Sequence, residues 1–333
     1  MRFLKIIIGI VAVLAIVYLI GPSPAKPNYN NALIEIPSEP TALEKFIATK
    51  EASHKIKPNN EARIVWANDS LKQKTKYAIV YLHGFSASQE EGNPVHREIA
   101  RQFGCNLYLS RLSQHGIDTT ETLMNMTAEN LWESAKESYA IGKAIGDTVI
   151  LMGTSTGGTL ALMLAANFPE VGGLVLYSPN IAINDPNAWL LNNPWGLQIA
   201  RAVKKSNYIH IEKSIPQYNQ YWNHHYRLEA TVQLEELLET SMTHQNFEKI
   251  KQPTLVLYYY KNEAEQDPVV KVSAMKDMFS AIQTPAEKKK MVPIPNCGNH
   301  VMASPIQSKD IETVKKESAR FLNEIMMIQP IMN

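Results

Sequence analysis

Hydrophobic and polar positions divide the chain into three stretches of different character. The first is an unbroken apolar run, Ile6 to Ile20, preceded by Arg2 and Lys5. The second, residues 22–60, carries Pro22, Pro24, Pro27, Pro37, Pro40 and Pro58 and shows no sustained periodicity, so it reads as a linker and approach segment. From residue 61 short apolar runs alternate with amphipathic ones. Lys76–Leu82, Asn106–Ser110, Thr148–Met152, Gly173–Tyr177, Thr254–Tyr260 and Lys290–Ile294 read as strands. Asn93–Phe103, Thr127–Ile145, Ser155–Asn167, Pro268–Ile282 and Lys309–Met326 read as helices, with Thr127 as an N-cap and Asn130 a weak capping-box partner. Strands separated by helices of this length imply βαβ units, hence an α/β protein with a mostly parallel sheet flanked by helices.

One stretch interrupts the alternation. Residues 180–250 offer no strand pattern and contain Trp189, Trp195, Trp222 and several tyrosines. They read as a helical cap inserted after strand 6, because ligands of open α/β sheets lie beyond the carboxyl ends of the strands. An ordinary helical excursion is the plainer alternative. The expected organisation is therefore an N-terminal segment at 1–25, a linker at 26–60, a core built from 61–179 and 251–333, and a cap at 180–250. A length of 333 residues accommodates one large domain with such an insertion.

The apolar run has the layout of a signal anchor over residues 3–21, close to the length a spanning helix needs. Ser23-Pro24-Ala25 is also a passable cleavage site, which would release a secreted protein cut near Ala25. Either reading exports the rest of the chain, since the basic end stays in the cytoplasm. A net charge of +1 supplies no global field for nucleic acid. Two cysteines, Cys105 and Cys297, cannot form a disulfide framework.

Candidate chemistry centres on Gly153-Thr154-Ser155-Thr156-Gly157, a G-x-S-x-G run placed where a strand passes directly into a helix. Such a turn lifts the serine Oγ above the sheet at a helix N-terminus, where developing negative charge is favoured. A serine needs a base. His300 follows the last strand and precedes the last helix, at the same sheet edge as Ser155. A carboxylate must orient that histidine. Asp267, just beyond Thr254–Tyr260, is the best placed, although it could equally be the N-cap of the next helix; Glu263, Glu265 and Asp185 are the fallbacks. Backbone N–H donors for an oxyanion are expected from Thr156 and, in the loop His83-Gly84-Phe85-Ser86, from Phe85. Neither HExxH nor CxxC, GxGxxG nor a Walker loop occurs, so no metal or cofactor is called for.

These motifs resemble the α/β-hydrolase superfamily, in particular its carboxylesterase, monoacylglycerol lipase and serine aminopeptidase-like group. His83-Gly84-Phe85, Gly153–Gly158, Asp267 and Asn299-His300 are similar to that group's motifs. Arg111-Leu112-Ser113-Gln114-His115-Gly116 resembles its Asp-x-Arg-Gly-His-Gly segment, with Arg111 where the group has Asp. The resemblance implies a serine hydrolase of carboxylic esters working through an acyl-enzyme. Its expected partners are a small-molecule ester with an apolar acyl or alcohol group and, through the N-terminal helix, a membrane. The same triad would serve acyl transfer or amide and peptide hydrolysis, and a binding protein of the same fold is the alternative from another class.

Overall fold

The computed structural model describes residues 2–212 and 215–331. Residue 1 of the expected N-terminal segment, residues 213–214 of the expected cap and residues 332–333 of the expected core therefore lie outside the described residues. Helices α1 (Arg2–Leu19) and α2 (Pro40–Ala52) precede β1 (Arg63–Val65) and β2 (Thr75–Leu82). Then follow α3 (Val95–Gln102), β3 (Asn106–Leu109), α4 (Ala128–Ile145), β4 (Gly146–Thr154), α5 (Thr156–Asn167) and β5 (Gly173–Tyr177). The insertion holds α6 (Gly196–Lys204), β6 (Tyr208–His210), α7 (Pro216–Tyr221), β7 (His225–Arg227), α8 (Leu228–Ser241) and α9 (His244–Phe247). β8 (Thr254–Tyr258), α10 (Val272–Ala281), β9 (Lys289–Pro293) and α11 (Ile311–Arg320) complete the core.

Seven strands form one sheet in the order β1-β3-β2-β4-β5-β8-β9. All neighbours pair in parallel except β1, which runs antiparallel to β3 along the edge. Both faces of the sheet are covered, which is why its central strands are apolar at successive positions. In β2, Ala78, Val80 and Leu82 join the core under α4 and α5, while Ile79 and Tyr81 join the core under α3 and α11. The predicted Thr127–Asn130 capping box is present at the start of α4.

Several expectations require correction. The insertion follows the fifth strand in chain order, not the sixth, and it is not purely helical. β6 and β7 form a two-stranded antiparallel ribbon whose three-residue strands are too short and polar to leave a period-2 signature. β1, at three residues, escaped for the same reason. The stretch 26–60 is not merely a linker. α2 buries Leu43, Ile47 and Glu51. Ahead of α2, the indole of Trp132 donates to Asn30 O at 2.8 Å and the ammonium of Lys136 to Ala32 O at 2.9 Å, strapping the segment along α4.

α1 forms as a helix exposed along its length. Among the described residues, no helix is long and apolar enough to cross a membrane. Eighteen residues at about 1.5 Å each fall short of a hydrocarbon core of roughly 30 Å. The anchor expected across residues 3–21 thus finds no support as a membrane span. The foot of α1 is tied to the insertion by Trp195, whose indole donates to Val17 O and whose backbone N–H donates to Pro22 O, both at 2.9 Å. Cys105 and Cys297 are buried and unbridged.

Candidate active site

β4 runs into α5 through Ser155, which adopts φ 52° and ψ −119°. Non-glycine residues rarely occupy this region, and the surroundings explain why the turn persists. A Cβ on Gly157 would sit 1.9 Å from the backbone oxygen of Leu82, and one on Gly153 would sit 2.6 Å from the Gly157 backbone. Only glycines let helix and strand approach this closely. The Ser155 N–H donates to Tyr177 O at 3.0 Å, and Ser155 O accepts from Thr159 and Asn180 at 3.1 and 3.0 Å. The turn is thereby pinned to the next strand.

His300 lies in the loop after β9 and is 7% exposed. Its Nδ1 is 2.7 Å from Oδ2 of the fully buried Asp267. Oδ1 of Asp267 accepts from the N–H groups of Val269 and Val270 at 2.9 and 3.1 Å. Helix α10 starts only at Val272, so Asp267 closes a turn instead of capping the helix. Burial opposes its charge, but the His300 ring and the two backbone donors outweigh that and hold the carboxyl below its ordinary value. For His300 burial disfavours the cation, yet Asp267 and, more weakly, Glu91 raise its proton affinity above the usual imidazole value. The fallback carboxylates are elsewhere engaged: Glu263 accepts from Tyr260 Oη, Glu265 pairs with Lys261, and Asp185 accepts from Asn187 N–H.

The loop His83–Ser86 follows β2. Gly84 N–H donates to Oε2 of Glu91 at 2.6 Å, and Ser86 N–H donates to Nε2 of His115 at 3.0 Å. Phe85 N–H, between them, has no acceptor among the described residues. Thr156, first residue of α5, likewise has no intrahelical acceptor for its N–H. His83 Nε2 accepts from Leu112 N–H at 3.0 Å, leaving its Nδ1 to donate to Gly84 O. Burial keeps both rings neutral: His115 falls to about 4 and His83 lies well below its ordinary value.

Ser155, His300, Phe85 and Glu91 line one cavity of about 500 Å³, roofed by Ile211, Tyr218 and other side chains of the insertion. The insertion is stapled beside it. Asn223 N–H donates to Ser86 O at 2.6 Å, and the ammonium of Lys57 caps α7 by donating to Asn219 O and Trp222 O at 3.0 and 3.2 Å. Burial pulls the Lys57 ammonium down to about 8. Arg111, the departure from the resembled motif, finds its acid in α2. Glu51 accepts from its Nε and Nη2 at 2.7 and 3.0 Å, while Nη1 donates to His115 O at 3.1 Å. Sequence reasoning did not single out Glu51, Lys57 or Glu91; Gln89-Glu90-Glu91 looks like an ordinary polar turn. Among the described residues no group of three or more His, Cys, Asp or Glu is placed to hold a metal.

A parallel sheet of this topology, with a strained serine turn leading into a helix at its carboxyl edge, defines the α/β-hydrolase class. The chain belongs to the serine aminopeptidase, S33 family, which it matches over residues 123–297. It is 32% identical over 98 residues to the thermostable monoacylglycerol lipase of Bacillus sp. (strain H-257); the match spans 29% of this chain and 38% of that one. A solved structure from the metagenome-derived lipolytic enzymes LipS and LipT aligns with a TM-score of 0.64 at 18% identity, over 81% of this chain and 99% of that one. The monoacylglycerol lipase of Paleococcus ferrophilus aligns with a TM-score of 0.55 at 14% identity, over 79% and 98%. At these identities the solved structures share the fold.

Proposed function

We propose that the protein is a serine hydrolase of carboxylic esters carrying an apolar acyl or alcohol group. The observation behind this reading is that Ser155, His300 and Phe85 line one cavity, with Asp267 bonded to His300 and the Phe85 N–H without an acceptor among the described residues. The lipolytic relatives support it. In this mechanism Ser155 Oγ attacks the acyl carbon while His300 Nε2 takes its proton. Asp267 fixes the tautomer and stabilises the imidazolium. The carbonyl oxygen becomes an oxyanion received by the Phe85 and Thr156 N–H groups. His300 then returns the proton to the leaving alkoxide as the C–O bond breaks. Water, deprotonated by His300, releases the acid and restores Ser155. The aliphatic and aromatic lining favours apolar substituents, and about 500 Å³ lies within the ordinary range for a small-molecule site.

Hydrolysis of p-nitrophenyl esters from acetate to palmitate tests the reading. Activity should peak at an acyl length set by the cavity. Ser155→Ala and His300→Ala should each lower kcat by roughly 10⁶-fold and Asp267→Asn by roughly 10⁴-fold. A folded protein inert on every ester and unlabelled by a fluorophosphonate would sink it. We propose also that the apolar segment at residues 3–21, helical through α1 (Arg2–Leu19), serves export, with its basic flank retained in the cytoplasm. Finding a tagged full-length chain in the cytosolic fraction would refute this.

A further inference from the structure

Glu91 has no part in the catalytic scheme above, yet it is 2% exposed and lines the same cavity as Ser155 and His300. A buried carboxylate this close to a nucleophile is costly unless it is engaged. Oε2 takes the Gly84 N–H at 2.6 Å, and the indole of Trp222, from the insertion, lies against the same carboxylate. A Cβ on Gly84 would come within 2.9 Å of Oε2 and 3.1 Å of Ser155 Cβ, so loop, carboxylate and nucleophile are in direct packing contact.

We infer that Glu91 is a positioning residue for the reaction: by taking the Gly84 N–H it holds the loop with the Phe85 N–H left to face the cavity, and it lines that cavity together with His300. This inference rests on the serine-hydrolase reading. Its hold on the loop and its influence on His300 have separate origins. Orientation depends on an acceptor at Oε2; the influence on His300 depends on charge. Titratable groups facing Glu91 are His300 from the loop after β9, Tyr81 from β2 and Tyr218 from α7. Both tyrosines are raised above their ordinary value by burial, so they stay neutral across the working range, and His300 is the partner whose protonation Glu91 can bias. Burial pushes the Glu91 carboxyl itself up to about 7, against the Gly84 N–H and His300, which favour its charged form.

The test compares wild type, Glu91→Gln and Glu91→Leu on one p-nitrophenyl ester. Active-site titration with a fluorophosphonate and a thermal melt run on each. Glu91→Gln keeps an acceptor and removes the charge. The acid limb of its kcat/KM profile should move to lower pH, with kcat retained to within a few-fold. Glu91→Leu removes both, and kcat should fall about tenfold or more with KM little changed. An unmoved acid limb in the glutamine variant overturns the inference. So does a leucine variant that loses thermal stability while kcat per labelled site stays at the wild-type value. Wild-type protein that neither labels nor hydrolyses overturns the hydrolase reading and this inference with it; labelled, active wild type with unresponsive Glu91 variants overturns this inference alone.

Discussion

In the proposed mechanism the serine turn and the His83–Ser86 loop have one task in common, which is to aim a backbone N–H at the same point. They are held in opposite ways. At Ser155 the constraint is local: glycines on either side, a strand before and a helix after leave the backbone little choice. At Phe85 the constraint is distant. Glu91, His115 and Asn223 each hold a different group of the loop, and Arg111 and Glu51 support His115 from behind. A local device survives changes elsewhere in the chain. A distributed one transmits them.

The comparison can be broken first at its most remote support. Glu51→Gln strands Arg111, whose side chain is 4% exposed, and should cost about 3–5 kcal/mol in urea unfolding. Activity should fall with it, although Glu51 touches nothing in the cavity. At the local device, Gly157→Ala forces a methyl against Leu82 O and should cost roughly 3 kcal/mol, read as a drop in Tm. His115→Phe leaves the Ser86 N–H without its acceptor. It should cost about 1–3 kcal/mol and lower kcat more than it changes KM. The smallest effect separates chemistry from folding. As the proposed base His300 must be neutral, so kcat/KM should decline about tenfold per unit as pH falls below its raised pKa. The contribution of His300 to stability runs the other way. Its proton is held more tightly in the folded state, so the stabilisation is complete below the unfolded pKa of about 6.5 and disappears as pH rises through the folded value. Asp267→Asn should flatten this Tm dependence, which a melt series across pH checks.

The same contrast explains what could be read from the chain. The strand–serine–helix turn was legible because its determinants sit within a few residues. The central strands are legible because burial on both faces makes them continuous apolar runs, as in Gly173–Tyr177, while β9 at the sheet edge is only half-buried. His300 and Asp267, which pair in the structure, stand out as candidates through their order after successive strands, a topological signal. β1 and the β6–β7 ribbon, at three residues each, carry too few positions for a period to appear. α2 is hidden in a proline-rich stretch because proline usually breaks a helix, whereas Pro40 starts this one behind the cap Glu39. Glu91, Lys57 and Glu51 are ordinary charged letters until the fold brings them against Gly84, Asn219 and Arg111. No spacing rule links residues 51 and 111.

Lys57 and Glu51 carry a consequence for anyone who would recombine this protein with a relative. Lys57 grips the end of α7, and Glu51 grips Arg111 in the loop behind His115. The unit of exchange is therefore not the contiguous insertion alone. A cap grafted in from another hydrolase would arrive without a matching clasp, and the host's lysine would be left facing foreign carbonyls. A chimera with its crossover points at residues 180 and 250 cuts the Lys57 contacts, whereas one that also carries residues 40–60 keeps them but parts Glu51 from Arg111.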